Sequence, residues 1–166
     1  MCLQCDGCSH EEAMRALDLQ VKVHGWSVVQ VGDEDAAFSY TVGLVENFGH
    51  PDLIVLDVDR AYQYALINEI AKGIATTGRP ALDRPLTEGV RCREVHTNHL
   101  TSEYFAMWAT RYGGLPRPGQ MMQVVLPDRA FCACHKHAVR RLDRPYSTPT
   151  VQLNRAQRRS RGRGAA

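Results

Sequence analysis

Two short stretches hold the residues best suited to chemistry: Cys2-x-x-Cys5-x-x-Cys8-x-His10 at the start, and Cys132-x-Cys134-His135-x-His137 near the end. The chain has six cysteines and seven histidines, and eight of these thirteen fall in the two stretches. Thiolates and imidazoles crowded in this way are the donor set of zinc or an iron–sulfur cluster, because short spacers let one loop supply several ligands. The expectation is a metal site built from Cys2, Cys5, Cys8, His10, Cys132, Cys134, His135 and His137. The C-x-C-H-x-H spacing matches no common zinc finger. Redox-active thiols without metal are an alternative, as is a structural reading in which Cys132 and Cys134 are small buried residues.

Other polar residues stand alone. His50 sits in Gly49-His50-Pro51-Asp52, a rigid bend between two apolar stretches. An imidazole there suits a pocket role as general acid or base, and Tyr40 and Thr41 are the polar groups set beside it. Tyr40 and His50 are thus the candidates if the chain is an enzyme, redox or flavin-dependent. The competing reading is a turn histidine and two ordinary strand residues. Cys92, a lone thiol in the strand expected over 90–95, reads as core, and His24 favours a helix end. His96 and His99 flank the entry to a helix. There is no G-x-G-x-x-G, no phosphate loop with lysine, no G-x-S-x-G and no H-E-x-x-H.

The elements that must position these residues are readable from pattern. Phe38–Val58 is the longest apolar segment and predicts two strands, 38–45 and 53–58, joined by a short irregular connection. The second is a nearly continuous apolar run and should be buried on both faces. Ser9 and Glu12 form a capping box for a helix over 10–24, with Met14, Leu17 and Val21 on one face and Gly25 as its stop. A strand over 26–31 and a turn at 32–35 complete an antiparallel hairpin. Asp59 caps a helix over 60–77 that ends at Gly78. Then come a loop over 79–89, a strand over 90–95, a helix over 102–112 stopped by Gly113-Gly114, a loop at 115–119 and a strand over 121–126. The fold class expected is α+β, a largely antiparallel sheet with two or three amphipathic helices packed on it.

The 166 residues suit one domain. The domain reading is a cysteine-rich head over 1–10, a globular body over 11–153 and an Arg-rich tail over 154–166. With 44% hydrophobic and 23% charged residues the composition is that of an ordinary globular chain. No run of about 18 apolar residues exists, and the N-terminus has neither a basic region nor an apolar core. A cytoplasmic location with reduced cysteines is expected. The net charge of +2 hides an asymmetry. Arg155, Arg158, Arg159, Arg161 and Arg163 carry +5, which leaves about −3 on the rest. The tail should be disordered alone, and its arginines could neutralise phosphates of RNA or DNA without reading sequence. An adaptor that holds nucleic acid through this tail is the third functional reading.

Several motifs carry a resemblance. Met1-Cys2-x-x-Cys5-Asp6, His24-Gly25-Trp26, Phe38-Ser39-Tyr40-Thr41-Val42-Gly43-Leu44, His50-Pro51-Asp52-Leu53 and Gln123-Val124-Val125-Leu126-Pro127-Asp128 together resemble a bacterial family catalogued as a domain of unknown function, number four-two-six-two. The likeness spans about residues 1–135. It implies a prokaryotic, cytoplasmic context and no catalytic residues. A looser architectural analogy, to split-barrel flavin reductases, assigns no flavin contact.

Overall fold

The computed structural model describes residues 7–32, 37–127 and 140–145. Cys2, Cys5, Cys132, Cys134, His135, His137 and the five tail arginines lie outside the described residues, as do Asp33, Glu34, Asp35 and Asp128.

Helix α1 spans His10–His24. Ser9 Oγ accepts from the Glu12 amide at 3.2 Å while the Glu12 carboxylate takes the Ser9 amide at 2.8 Å, a reciprocal cap that satisfies donors the first turn would leave bare. Ala13, Leu17 and Val21 form its buried stripe. Gly25 turns left-handed and ends it, and the chain reverses into β1, Ser27–Val31. β2, Phe38–Val42, pairs with β1 as the expected hairpin, from Ser27 opposite Val42 to Val31 opposite Phe38.

β2 stops at Val42, where an extended strand to Val45 was expected. Gly43 sits at φ 115°, and a Cβ there would come within 2.7 Å of the Gly25 carbonyl oxygen. The chain then forms a short helix, α2, Leu44–Phe48, in place of an irregular connection. β3, Asp52–Leu56, follows, buried at every position. It lies antiparallel to β2 and parallel to β5, Met121–Val125, so it has strands on both sides and helices over both faces.

Helix α3, Arg60–Thr77, has its expected bounds, with the Asp59 carboxylate accepting from the amides of Ala61 and Tyr62. β4, Arg91–Glu94, pairs antiparallel with β5, and a single 3-10 turn, Thr97–His99, leads to α4, Ser102–Tyr112, which bends at Phe105. The sheet order is β1-β2-β3-β5-β4, with one parallel pair in an otherwise antiparallel sheet.

Two apolar clusters fix the layers. On one face Leu17 and Val21 of α1 and Tyr104, Phe105 and Trp108 of α4 pack on Phe38, Tyr40, Val42 and Ile54. On the other, Leu66, Ile67, Ile70 and Ile74 of α3 cover Leu53, Val55 and Val124. The result is the expected α+β domain, with helices on both sides of the sheet. Among the described residues no helix is long and apolar enough to cross a membrane.

Candidate functional site

The sheet has two ends of different character. At one end stand Ser27, Val42, Asp52 and Met121; at the other, Val31, Phe38, Leu56 and Val125.

The first end is organised by Asp52, which is fully buried. One carboxylate oxygen accepts from Thr41 Oγ1 at 2.8 Å and from the Leu44 amide at 3.0 Å, and the other accepts from Trp108 Nε1 at 3.0 Å. Thr41 Oγ1 in turn accepts from the Leu53 amide at 2.8 Å. The Tyr40-Thr41-x-Gly43-Leu44 and His50-Pro51-Asp52-Leu53 stretches are therefore the two halves of one network. A carboxylate eight residues downstream caps α2, which has no cap of its own beyond Gly43. Burial pushes the Asp52 carboxyl up to about 6, against the pull of its Trp108, Leu44 and Thr41 donors.

Tyr40 and His50 do not meet. Tyr40 is fully buried in the core, edge-on against Phe105, and its hydroxyl makes no hydrogen bond among the described residues. Burial raises the tyrosine above its usual range, opposed by the nearby backbone amides of Met107 and Trp108. His50 is half-buried and its Nδ1 lies 2.7 Å from the Pro51 carbonyl oxygen, which is a turn contact. Two surface grooves, of ≈ 630 and ≈ 540 Å³, border neither residue and do not reach Asp52. Cys92 is half-buried, and burial pushes its thiol up to about 11, so it stays protonated at neutral pH. His24 is exposed at the end of α1, His96 Nδ1 accepts from the Asn98 amide, and His99 is buried with Nε2 2.7 Å from the Arg144 carbonyl oxygen.

The second end holds Cys8 and His10 and the described flanks of residues 128–139. The reversal at Gly25 sets α1 antiparallel to β1, so the start of α1 lies at the end marked by Val31 and Phe38. Exposed His10 opens α1, and half-buried Cys8 immediately precedes its cap. Residues 128–139, which include Cys132 to His137, leave from β5 at this same end. The chain returns at Arg140, whose amide and Nε both donate to the Asp57 carboxylate at 2.7 Å. Asp57 directly follows β3 and holds a left-handed backbone at φ 61°, an uncommon state for a residue with a side chain. Gln123 completes the anchor: its Nε2 donates to the Arg140 carbonyl and its Oε1 accepts from the Leu142 amide, both at 2.7 Å. Leu142 is buried in the same apolar cluster as Leu17 and Val21. Arg140 and Leu142, where the described chain resumes, are thus fastened to this end of the sheet. Among the described residues no group of three or more His, Cys, Asp and Glu side chains is gathered as a metal would require.

Asp57 and Gln123 have no signal in the sequence as anchors, since their partners lie 83 and 17 to 19 residues away. Asp52 carried one: an acid opening a strand buried on both faces must have donors.

No curated protein and no solved structure matches the chain. Residues 20–131, more than half of it, match one family, and the chain belongs to that family, described as Domain of unknown function (DUF4262).

Proposed function

We propose that this chain is a small cytoplasmic metal-binding protein that holds one zinc ion or iron–sulfur cluster with donors drawn from Cys2, Cys5, Cys8 and His10 and from Cys132, Cys134, His135 and His137. One observation carries the reading: the start of α1 and both anchored flanks of residues 128–139 lie at the same end of the sheet. Four donors complete a tetrahedral site, and eight are available between the two segments. The Asp57–Arg140 and Gln123–Leu142 bonds fix where the second segment begins and ends, which lowers the entropy lost when its donors close on an ion.

The test is elemental analysis with an absorption spectrum on full-length protein purified without oxygen. About one zinc per chain, or an iron–sulfur absorbance, is expected, with loss of the metal in C132S/C134S. Chelation should lower the melting temperature, because metal binding here is also folding free energy. Six titratable thiols with no metal and no chromophore would sink the reading.

A further inference from the structure

Helix α4 is built in two pieces. Phe105 leaves the helical region at φ −125° and ψ 36°, and Gly113, left-handed at φ 71°, ends the second piece. Residues 106–112 therefore lie between a break and the pair Gly113-Gly114, where an added Cβ would meet nothing within 4 Å. Positions of this kind absorb the dihedral change of a hinge. Of the stretch between them only Trp108 is fully buried, and its deepest polar tie is the indole bond to Asp52.

Beneath this piece lies a buried carboxyl group with no cation of its own. Among the described residues no ion pair includes Asp52, and its donors Thr41 Oγ1, the Leu44 amide and Trp108 Nε1 are all neutral. The titratable and charged groups around it are Tyr40 of β2, Glu46 of α2, Arg111 and Tyr112 of α4, Asp18 of α1 beyond Arg111, and His50 in the turn before β3. The Arg111 guanidinium is already bonded to Asp18 and Glu46. The Tyr40 and Tyr112 hydroxyls are buried and make no hydrogen bond among the described residues. A negative charge held only by neutral donors is costly away from water.

We propose that residues 106–112 are a lid over Asp52, hinged at Phe105 and Gly113, which lifts more often when the carboxyl is ionised. The charged form gains hydration on opening, and the protonated form has little to gain. Burial holds the Asp52 carboxyl up at about 6 under the closed lid, and exposure returns it toward the ordinary 3.8. Opening is therefore rarest below about pH 4, where the carboxyl is protonated in either position of the lid, and becomes commoner as pH rises through about 6. The surface bonds of Arg111 to Asp18 and Glu46 oppose the motion and keep the open form a minor one.

A minor open form is read by hydrogen exchange, here of the indole N–H groups of the full chain from about pH 4.5 to about pH 7. The chain has two tryptophans, and Trp26, whose Nε1 donates to Asn68 at 3.0 Å, corrects for the intrinsic pH dependence of indole exchange. The rate at Trp108 relative to Trp26 should grow roughly tenfold across that range. Its midpoint should coincide with the titration of the Asp52 carboxyl carbon, followed by NMR in the same sample. In D52N the ratio should not respond to pH. A flat ratio in wild type would overturn the inference, as would a midpoint that departs from that of the carboxyl carbon. Both are read on wild type, so they decide the matter whether or not D52N folds. A pH response that survives in D52N, or amides of α3 that quicken in step with Trp108, would overturn it as well, the latter because the whole fold would then be opening.

Discussion

The two edges of one sheet are built on opposite principles. β1 reads Ser-Val-Val-Gln-Val, and β4, at the far edge, reads Arg91-Cys92-Arg93-Glu94, with Arg91, Arg93 and Glu94 all exposed. Beside β4 the chain returns over 140–145, where the His96 amide donates to the Leu142 carbonyl at 2.7 Å. Charge and a covering segment are two standard ways of denying an edge to another strand; β4 has the charge, and the segment 140–145 bonds to the chain just past it. β1 has neither. Leu19 and Val23 on α1 and Tyr64 on α3 are exposed apolar side chains. Within a single sheet, then, the two edge strands differ in charge: one is uncharged, the other carries three charged side chains.

The segment over 140–145 is the strongest lever on the closed edge. Leu142 is buried with Leu17 and Val21, so L142A should cost about 3 kcal/mol and lower the denaturant midpoint without changing the slope. A change within a few tenths of a kcal/mol would mean that the segment merely rests on the sheet. Asp52 lies between the two edges and supports both. Its carboxyl, raised by burial to about 6 from an unfolded value of 3.8, keeps its proton in the folded state to a higher pH than in the unfolded one. That contribution is complete below about pH 4 and is lost as pH rises through about 6, a fall in stability of about 3 kcal/mol at most. Urea melts between pH 4 and pH 7 should show this decline, and D52N should flatten it. D52N should also cost about 2 kcal/mol near neutral pH, because its amide group would confront the Trp108 Nε1 donor. Q123A strips two buried hydrogen bonds from the anchor and should cost about 2 kcal/mol, with faster hydrogen exchange over 140–145 than over β1.

Much of this architecture was legible because its causes are local. The capping box at Ser9 and Glu12, the Asp59 cap and the glycine stops at 25, 78 and 113 placed α1, α3 and α4 at their observed bounds. What escaped has distant causes. Leu44 and Val45 favour a strand by type, yet they begin α2, since Gly43 turns the chain and Asp52 supplies the cap from eight residues away. The parallel pairing of β3 with β5 has no local signal at all. Tyr40 was readable as a polar group in an apolar frame, but its depth depends on Phe105 of α4, which no spacing announces. The Cys/His segments were legible by composition. That residues 125 and 140 lie at one end of the sheet follows only from strand order, and that order is a property of the fold.

The smallest expected change in stability gives the sharpest test of the two-edge comparison. Arg91 and Arg93 are exposed and form no ion pair among the described residues, so R91T/R93T should alter stability by no more than about 0.5 kcal/mol. The substitution turns β4 into a strand with the chemistry of β1: β-branched, polar and nearly uncharged. If charge is what closes this edge, light scattering should reveal larger assemblies than wild type forms, since an uncharged edge strand is a template for pairing with another chain. Ionic strength offers a second reading of the same cause: screening the arginines of wild type with salt should move it in the same direction, by less. If R91T/R93T behaves as wild type at every concentration, the edge is closed by residues 140–145 and not by charge. R91T/R93T combined with L142A should then associate where R91T/R93T alone does not.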